Sequence, residues 1–227
     1  MSIKRKLLAA TATLTILGGL SAAATVPAGA ATPACGAPCV SVFSSPLGTV
    51  TQPNFVEAVL GGEARVGQLV GLKRASGSDP SEDIMGTLGS VSDFYAQGMV
   101  SAEVNLHYGA LTAAQLQYAP LGVTTGLCVG VADDAYQNEP LSLQLCSVPG
   151  RTVFILGPRN SAGYFPIINA STTDFSRPFA MAYPRHVDTT DETLPPIRLR
   201  RLQYQGRDHT LPGTQLWGVY RGIIPTP

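Results

Sequence analysis

The stretch GLCVGVADDAYQNEPLSLQLCSVPGRTVFILG, residues 126–157, decides the fold. It opens with a short apolar run, Leu127, Cys128 and Val129, and then enters a turn rich in Asp and Asn. Leu141, Leu143 and Leu145 follow, alternating with Ser142 and Gln144. An alternation of period two marks a strand with one buried face. After Pro149 and Gly150 a closing apolar run reaches Phe154. The unit therefore reads as strand, turn, strand, turn, strand, with no run long enough for a stable helix.

The same order recurs on both sides. Residues 55–86, FVEAVLGGEARVGQLVGLKRASGSDPSEDIMG, form a first unit. Residues 163–184, GYFPIINASTTDFSRPFAMAYP, open a third, which finishes at TQLWGVYRG, residues 214–222. Val59 to Val70 is 11 residues, Val129 to Leu141 is 12, and Ile168 to Phe179 is 11. Closing apolar residues are Ile84, Phe154 and Trp217; Val59 to Ile84 and Val129 to Phe154 are both 25. Ile168 to Trp217 is 49, so unit three carries an insertion of 24 residues between Tyr183 and Leu211, including the polar run RHVDTTDETLPP. Equal intervals at this scale are the mark of internal repetition.

A short apolar strand, a turn, an alternating strand, a cysteine and a Q-x-W closure, repeated three times, resembles the ricin B-type β-trefoil family. Unit two places Cys128 and Cys146 18 apart, with Thr152-Val153-Phe154 where the family has Q-x-W. Unit three has a literal Gln215-Leu216-Trp217, and unit one has Glu82-Asp83-Ile84. The resemblance covers about residues 50–225. It implies twelve strands in a short closed barrel with a hairpin cap, a structural role for Trp217, and sugar binding. The family's sugar-binding Asp follows the first cysteine by two; here that position is Gly130, with Gly61 or Gly62 in unit one and Asn169 or Ala170 in unit three. A shifted site in unit two would use Asp133, Asp134, Tyr136 and Asn138. The alternative architecture for an all-β chain of this pattern is a β-sandwich.

Composition agrees with an all-β fold. Charged residues are 13% and hydrophobic residues 44%, with 24 Gly and 18 Pro. That mix argues against disorder and against a coiled coil or helical bundle. Residues 1–30 read as a signal peptide: Lys4, Arg5 and Lys6, an apolar run from Leu7, and small residues at Ala28 and Ala30 before the cleavage point. Cleavage removes three of fifteen basic residues and none of fifteen acidic ones, leaving 197 residues of formal charge −3. Nothing in that balance favours nucleic acid or an anionic membrane. The basic residues that remain are eleven Arg and the single Lys73, a skew that, with the Ala/Thr-rich signal, resembles actinobacterial secreted proteins. Residues 31–49 read as a lead carrying Cys35 and Cys39, and residues 50–225 as one domain. Four cysteines in an oxidising compartment favour disulfides over metal, and the spacing suggests Cys35–Cys39 and Cys128–Cys146.

Residues 87–125 stand outside the units. Val100, Ala102, Val104 and Leu106 alternate with polar residues, which predicts a strand over residues 99–108. In LTAAQLQYAP, Thr112 and Gln115 fit a helix capping box, while Leu116 and Tyr118 alternate as in a strand ended by Pro120; the eight residues before Pro120 are short for a stable helix, which favours the strand. For catalysis the chain offers no G-x-S-x-G elbow. His107, His186 and His209 are scattered, and the acidic clusters at Asp79, Glu82 and Asp83, at Asp133, Asp134 and Glu139, and at Asp188, Asp191 and Glu192 fall in turns. The run IRLRRLQYQGR predicts a strand with Ile197, Leu199 and then Leu202 on an apolar face and Arg198, Arg200 and Arg201 on a basic one. These observations favour a secreted, non-catalytic binding protein, lectin-like, without metal or other cofactor and with an extracellular glycan or protein as partner. The alternatives are a secreted protease inhibitor or other protein-binding module, and then an extracellular hydrolase.

Overall fold

The computed structural model describes residues 39–49, 52–183, 188–206 and 210–221. Twelve strands build its frame, four per unit. Unit one contains β1 (Val40–Ser44), β2 (Phe55–Val59), β3 (Val70–Arg74) and β4 (Ile84–Ser90). Unit two contains β5 (Thr112–Tyr118), β6 (Leu127–Gly130), β7 (Ser142–Leu145) and β8 (Val153–Leu156). Unit three contains β9 (Ile167–Asn169), β10 (Phe179–Ala182), β11 (Arg198–Arg201) and β12 (Trp217–Arg221).

The first and last strands of each unit close a six-stranded barrel. β4 pairs with β5, β5 with β8, β8 with β9, and β12 with β1, all antiparallel. The circle is completed by single bridges at Cys39–Met85, leading into β1 and β4, and at Phe165–Trp217, leading into β9 and β12. Closure satisfies strand edges that would otherwise lie open. The middle strands of each unit form hairpins, β2 with β3, β6 with β7 and β10 with β11.

The three hairpins meet on a three-fold axis. The Val70 amide donates to the Leu141 carbonyl at 2.9 Å, Leu141 to Ile197 at 2.9 Å, and Ile197 back to Val70 at 3.1 Å. All three side chains are fully buried. Beneath them lie Leu72, Leu143 and Leu199, also fully buried, each paired across its hairpin. At the top of the barrel Ile84, Phe154 and Trp217 face Tyr118, Asn169 and Ser44, the last residue of the next barrel strand in each case. Burial of these three side chains stabilises the domain by about 2 kcal/mol each. This arrangement is an all-β, β-trefoil-like fold, not a β-sandwich. Trp217 is a core residue whose indole Nε1 donates to the Met181 carbonyl at 2.9 Å.

The register differs from the spacing argument in two places. Val59 pairs with Val70, and continuing the β6–β7 ladder past Gly130–Ser142 sets Val131, not Val129, opposite Leu141. In unit three the partner of the axis is Ile197, opposite Tyr183, whereas Ile168 lies in β9 and Phe179 pairs with Arg201. The sequence offset of 11 was met by β9 and β10 because any two neighbouring strands joined by a similar turn give it. The domain also begins earlier than residue 50: Val40–Ser44 runs along the whole of β12 as a barrel strand.

Residues 99–108 are not a strand. They enter helix α2 (Ala102–Tyr108), which follows α1 (Val91–Ala96). Ser90 and Asp93 make a capping box for α1, and Ser101 caps α2 by accepting from the Val104 amide at 3.2 Å. Val100 and Val104, four apart, share the buried face, while Leu106 is 82% exposed, so the helical period is the one that burial follows. The helices cover the outer face of the sheet, packing Val91, Phe94 and Val104 against Ala113, Ile155 and Ile168. The run ending at Tyr118 is a strand, β5.

Cys128 and Cys146 form a disulfide that ties the two strands of the unit-two hairpin together. Cys39 is buried and disulfide-bonded. Cys35, with which the spacing pairs it, lies outside the described residues, as do the signal segment, His186 and His209.

Candidate functional site

Asp133, Asp134, Tyr136 and Asn138 lie together in the β6–β7 turn. Glu139, 1% exposed, organises that turn: its Oε1 accepts the Asp133 amide at 3.0 Å. Burial raises the Glu139 carboxyl above its ordinary range, against the opposing effect of the amides that donate to it. Asn138 takes a left-handed backbone, φ 68°, donates its amide to Leu199 O at 2.8 Å, and accepts Arg198 Nη1 on its carbonyl at 2.8 Å. Tyr136 is 49% exposed. Arg151, from the approach to β8, reaches back across this end of the unit. Its Nη1 donates to Ala132 O at 2.7 Å, and its Nε lies 3.4 Å from Asp134 Oδ1. At Gly130 an added Cβ would fall 2.7 Å from the Arg151 carbonyl oxygen. The position where the resemblance puts a sugar-binding Asp therefore has no room for any side chain. The structural equivalents of Gly130 are Ala58 and Ala182.

Unit one presents the same region as an open cleft. A cavity of about 270 Å³ is walled by Gly61 and Gly62 of the β2–β3 turn, Lys73 of β3, and Asp79 and Ser81 of the β3–β4 connection. Thr193 adds the far side. It comes from the unit-three insertion, whose segment Thr193–Pro196 adds a strand to β3, with Thr193 opposite Lys73. Lys73 and Asp79 form an ion pair, and both remain partly exposed toward the cleft. Asp79 caps the short helix Pro80–Glu82 by accepting the Ser81 amide at 2.9 Å. Burial pushes the Asp79 carboxyl up, but the hydrogen bonds from Lys73 and Ser81 outweigh it and hold it below the usual carboxylate range. At neutral pH the cleft therefore offers a fixed carboxylate, an ammonium with unused donors, a hydroxyl residue and bare glycine backbone. The sequence placed Asp79, Glu82 and Asp83 in a turn; the structure buries Asp83 and leaves Asp79 at the cleft. The signal the sequence contained was Lys73, the only lysine after Lys6.

The Q-x-W positions explain why the two units share this frame. Gln215 accepts the Gln203 amide at 3.0 Å and donates to Arg201 O at 2.9 Å. Thr152 takes that place in unit two, bonding Val148 O at 3.0 Å, and Glu82 in unit one accepts the Ser76 and Gly77 amides at 3.2 Å. Each polar side chain pins the loop before the closing strand.

The other candidates are occupied by the fold. Arg201 pairs with Asp174 and covers the Phe179 ring at 4.6 Å, and Arg198 serves the Asn138 turn. His107 stacks on Phe175 at 4.1 Å. Among the described residues no group of three or more His, Cys, Asp or Glu is placed to hold a metal ion, and no helix is long and apolar enough to cross a membrane.

No family model and no curated protein matches the chain. Among solved structures it is similar to ThreeFoil, a designed three-fold symmetric protein, at 10% identity and a TM-score of 0.50, over 79% of this chain and 96% of that one. It is equally similar to a mosquitocidal holotoxin, at 10% identity and a TM-score of 0.50, over 80% of this chain but only 17% of the toxin. These likenesses establish the class, a β-trefoil-like domain, and nothing about its ligand.

Proposed function

We propose that this chain is a secreted, non-catalytic recognition domain that binds carbohydrate of an extracellular glycan, and that the unit-one cleft is its site. One observation carries the reading: the Lys73–Asp79 pair stands in an open cleft of about 270 Å³ at a place that Arg151 fills in unit two. A sugar hydroxyl donates and accepts at once, so it fits between a carboxylate and an ammonium held side by side. The bare backbone of Gly61 and Gly62 lets a ring approach closely. The Cys128–Cys146 disulfide supports an oxidising compartment.

A glycan array probed with the mature protein, followed by titration calorimetry on the best binder, tests this. Asp79→Asn and Lys73→Met are each expected to weaken binding at least tenfold, about 1.4 kcal/mol. An array without a binder overturns the glycan reading. The unit-two turn is the second place proposed, because Tyr136 stands exposed beside Asp133 and Asp134. Binding lost in Tyr136→Ala but kept in Asp79→Asn would move the site there.

A further inference from the structure

The barrel is not filled. A cavity of about 240 Å³ lies inside it, bounded by inward-facing residues of β1, β4, β5, β8 and β12 and of the run through Phe165 and Ile167. Its position follows from the repeat. Below Ile84, Phe154 and Trp217 the next inward positions of the closing strands are Gly86, Leu156 and Val219, so one unit contributes no side chain. Val40 leans into that place: a Cβ on Gly86 would fall 2.8 Å from Val40 Cγ1. The first strands contribute Val40, Ala114 and Phe165 at the level below, so unit two adds only a methyl group there. The cavity reaches solvent where Leu88, 42% exposed, Thr112 and Arg159 stand at the rim.

The lining determines what fits. Water inside would find few polar partners, because Val, Leu, Ala, Phe and Ile make most of the wall. A cavity of roughly 150 Å³ takes a benzene-sized guest, so about 240 Å³ holds an apolar group of roughly ten carbon atoms. At the rim Arg159 is exposed and lies over the Phe165 ring at 5.5 Å. No carboxylate pairs with it among the described residues. A guanidinium at the mouth of an apolar hole selects a ligand with an apolar tail and one anionic oxygen pair at its end.

We propose that the barrel interior binds a small amphiphilic monocarboxylate, its tail inside and its carboxylate on Arg159. The site is separate from the unit-one cleft and does not depend on the glycan reading. Titration of the mature protein with octanoate and with octanol, followed by calorimetry, tests it. Saturable 1:1 binding of octanoate is expected. Arg159→Gln should weaken octanoate about tenfold and octanol less than twofold. Ala114→Leu should weaken both at least tenfold by filling the cavity, with the fold checked by circular dichroism and the emission of Trp217. Should Ala114→Leu fail to fold, Leu156→Phe fills the same space from another strand. Absence of saturable binding overturns the proposal, as does octanoate binding that survives the folded filling variant. Equal loss of octanoate and octanol in Arg159→Gln overturns the assignment of the anionic head.

Discussion

Units one and two share one backbone frame and differ in what fills it. Ser81 precedes Ile84 by three residues, as Arg151 precedes Phe154. In unit two the long side chain crosses to the β6–β7 turn and closes the region; in unit one the short one leaves a cleft that Lys73 and Asp79 border. The core differs as well. Glu57 of β2 pairs with Leu72 at the place where unit two has Val129 opposite Leu143 and unit three has Met181 opposite Leu199. Unit one thus has a carboxyl at this core position and an open surface outside, whereas unit two has Val129 there and is disulfide-bonded and closed. The repeat sets the frame, and single side chains decide which copy stays open.

The largest effect is expected at Glu57. It is 1% exposed, neither carboxylate oxygen has a hydrogen-bond partner among the described residues, and burial pushes its pKa from 4.5 up to about 8. In the unfolded chain the carboxyl loses its proton near pH 4.5, while the folded one keeps it to about 8. Between those values unfolding releases a proton, so stability falls as pH rises, by about 1.4 kcal/mol per pH unit. It is level below the window and level again above it. Glu57→Met, copying unit three, should raise stability at pH 7 by several kcal/mol and flatten that slope. Melting temperatures between pH 4 and 9 for both proteins check this; an unchanged slope in the variant would refute it.

The disulfide comes next. Joint replacement of Cys128 and Cys146 by Ser should cost about 3 kcal/mol, read from urea unfolding, and reductant should cost the parent protein at least as much, because it also opens the disulfide of Cys39. Exchange at the cleft position is smaller and more specific. Ser81→Arg, which gives unit one the residue of unit two, should weaken glycan binding at least tenfold and, because Ser81 is buried, should also lower the melting temperature. The reverse change, Arg151→Ala, should cost about 1 kcal/mol through the lost bond to Ala132 O. The contact with Asp134, whose side chain is 78% exposed, adds nothing measurable. If Arg151→Ala also creates a second binding stoichiometry, the two units are interchangeable frames, and the comparison gains its strongest support.

The helical insertion shows where local pattern misleads. Val100 and Val104 satisfy period two and period four alike, and only the caps at Ser90 and Ser101 and the exposure of Leu106 separate the readings. The unit-two turn shows the opposite case. Its four residues are close in sequence and remain close in space, but what Arg151 does there depends on a connection that the turn itself does not contain. Lys73, Asp79 and Thr193 come from three different segments, and their meeting could not be read from any of them.

The sequence by itself determined the alternating strands, the three closing residues Ile84, Phe154 and Trp217, and the all-β trefoil-like class. The strands and the first two closing residues follow from period within about 30 residues, Trp217 closes its unit across the 24-residue insertion, and the trefoil class came with the family resemblance. Only the tertiary structure decided the axis of Val70, Leu141 and Ile197, the entry of Val40–Ser44 into the barrel, and the placing of an unpaired Glu57 in the core. It also decided which unit stays open and that the barrel encloses a cavity. Those features depend on which side chains meet across strands distant in sequence, and the volume left between them is a property of the packing, not of any one segment.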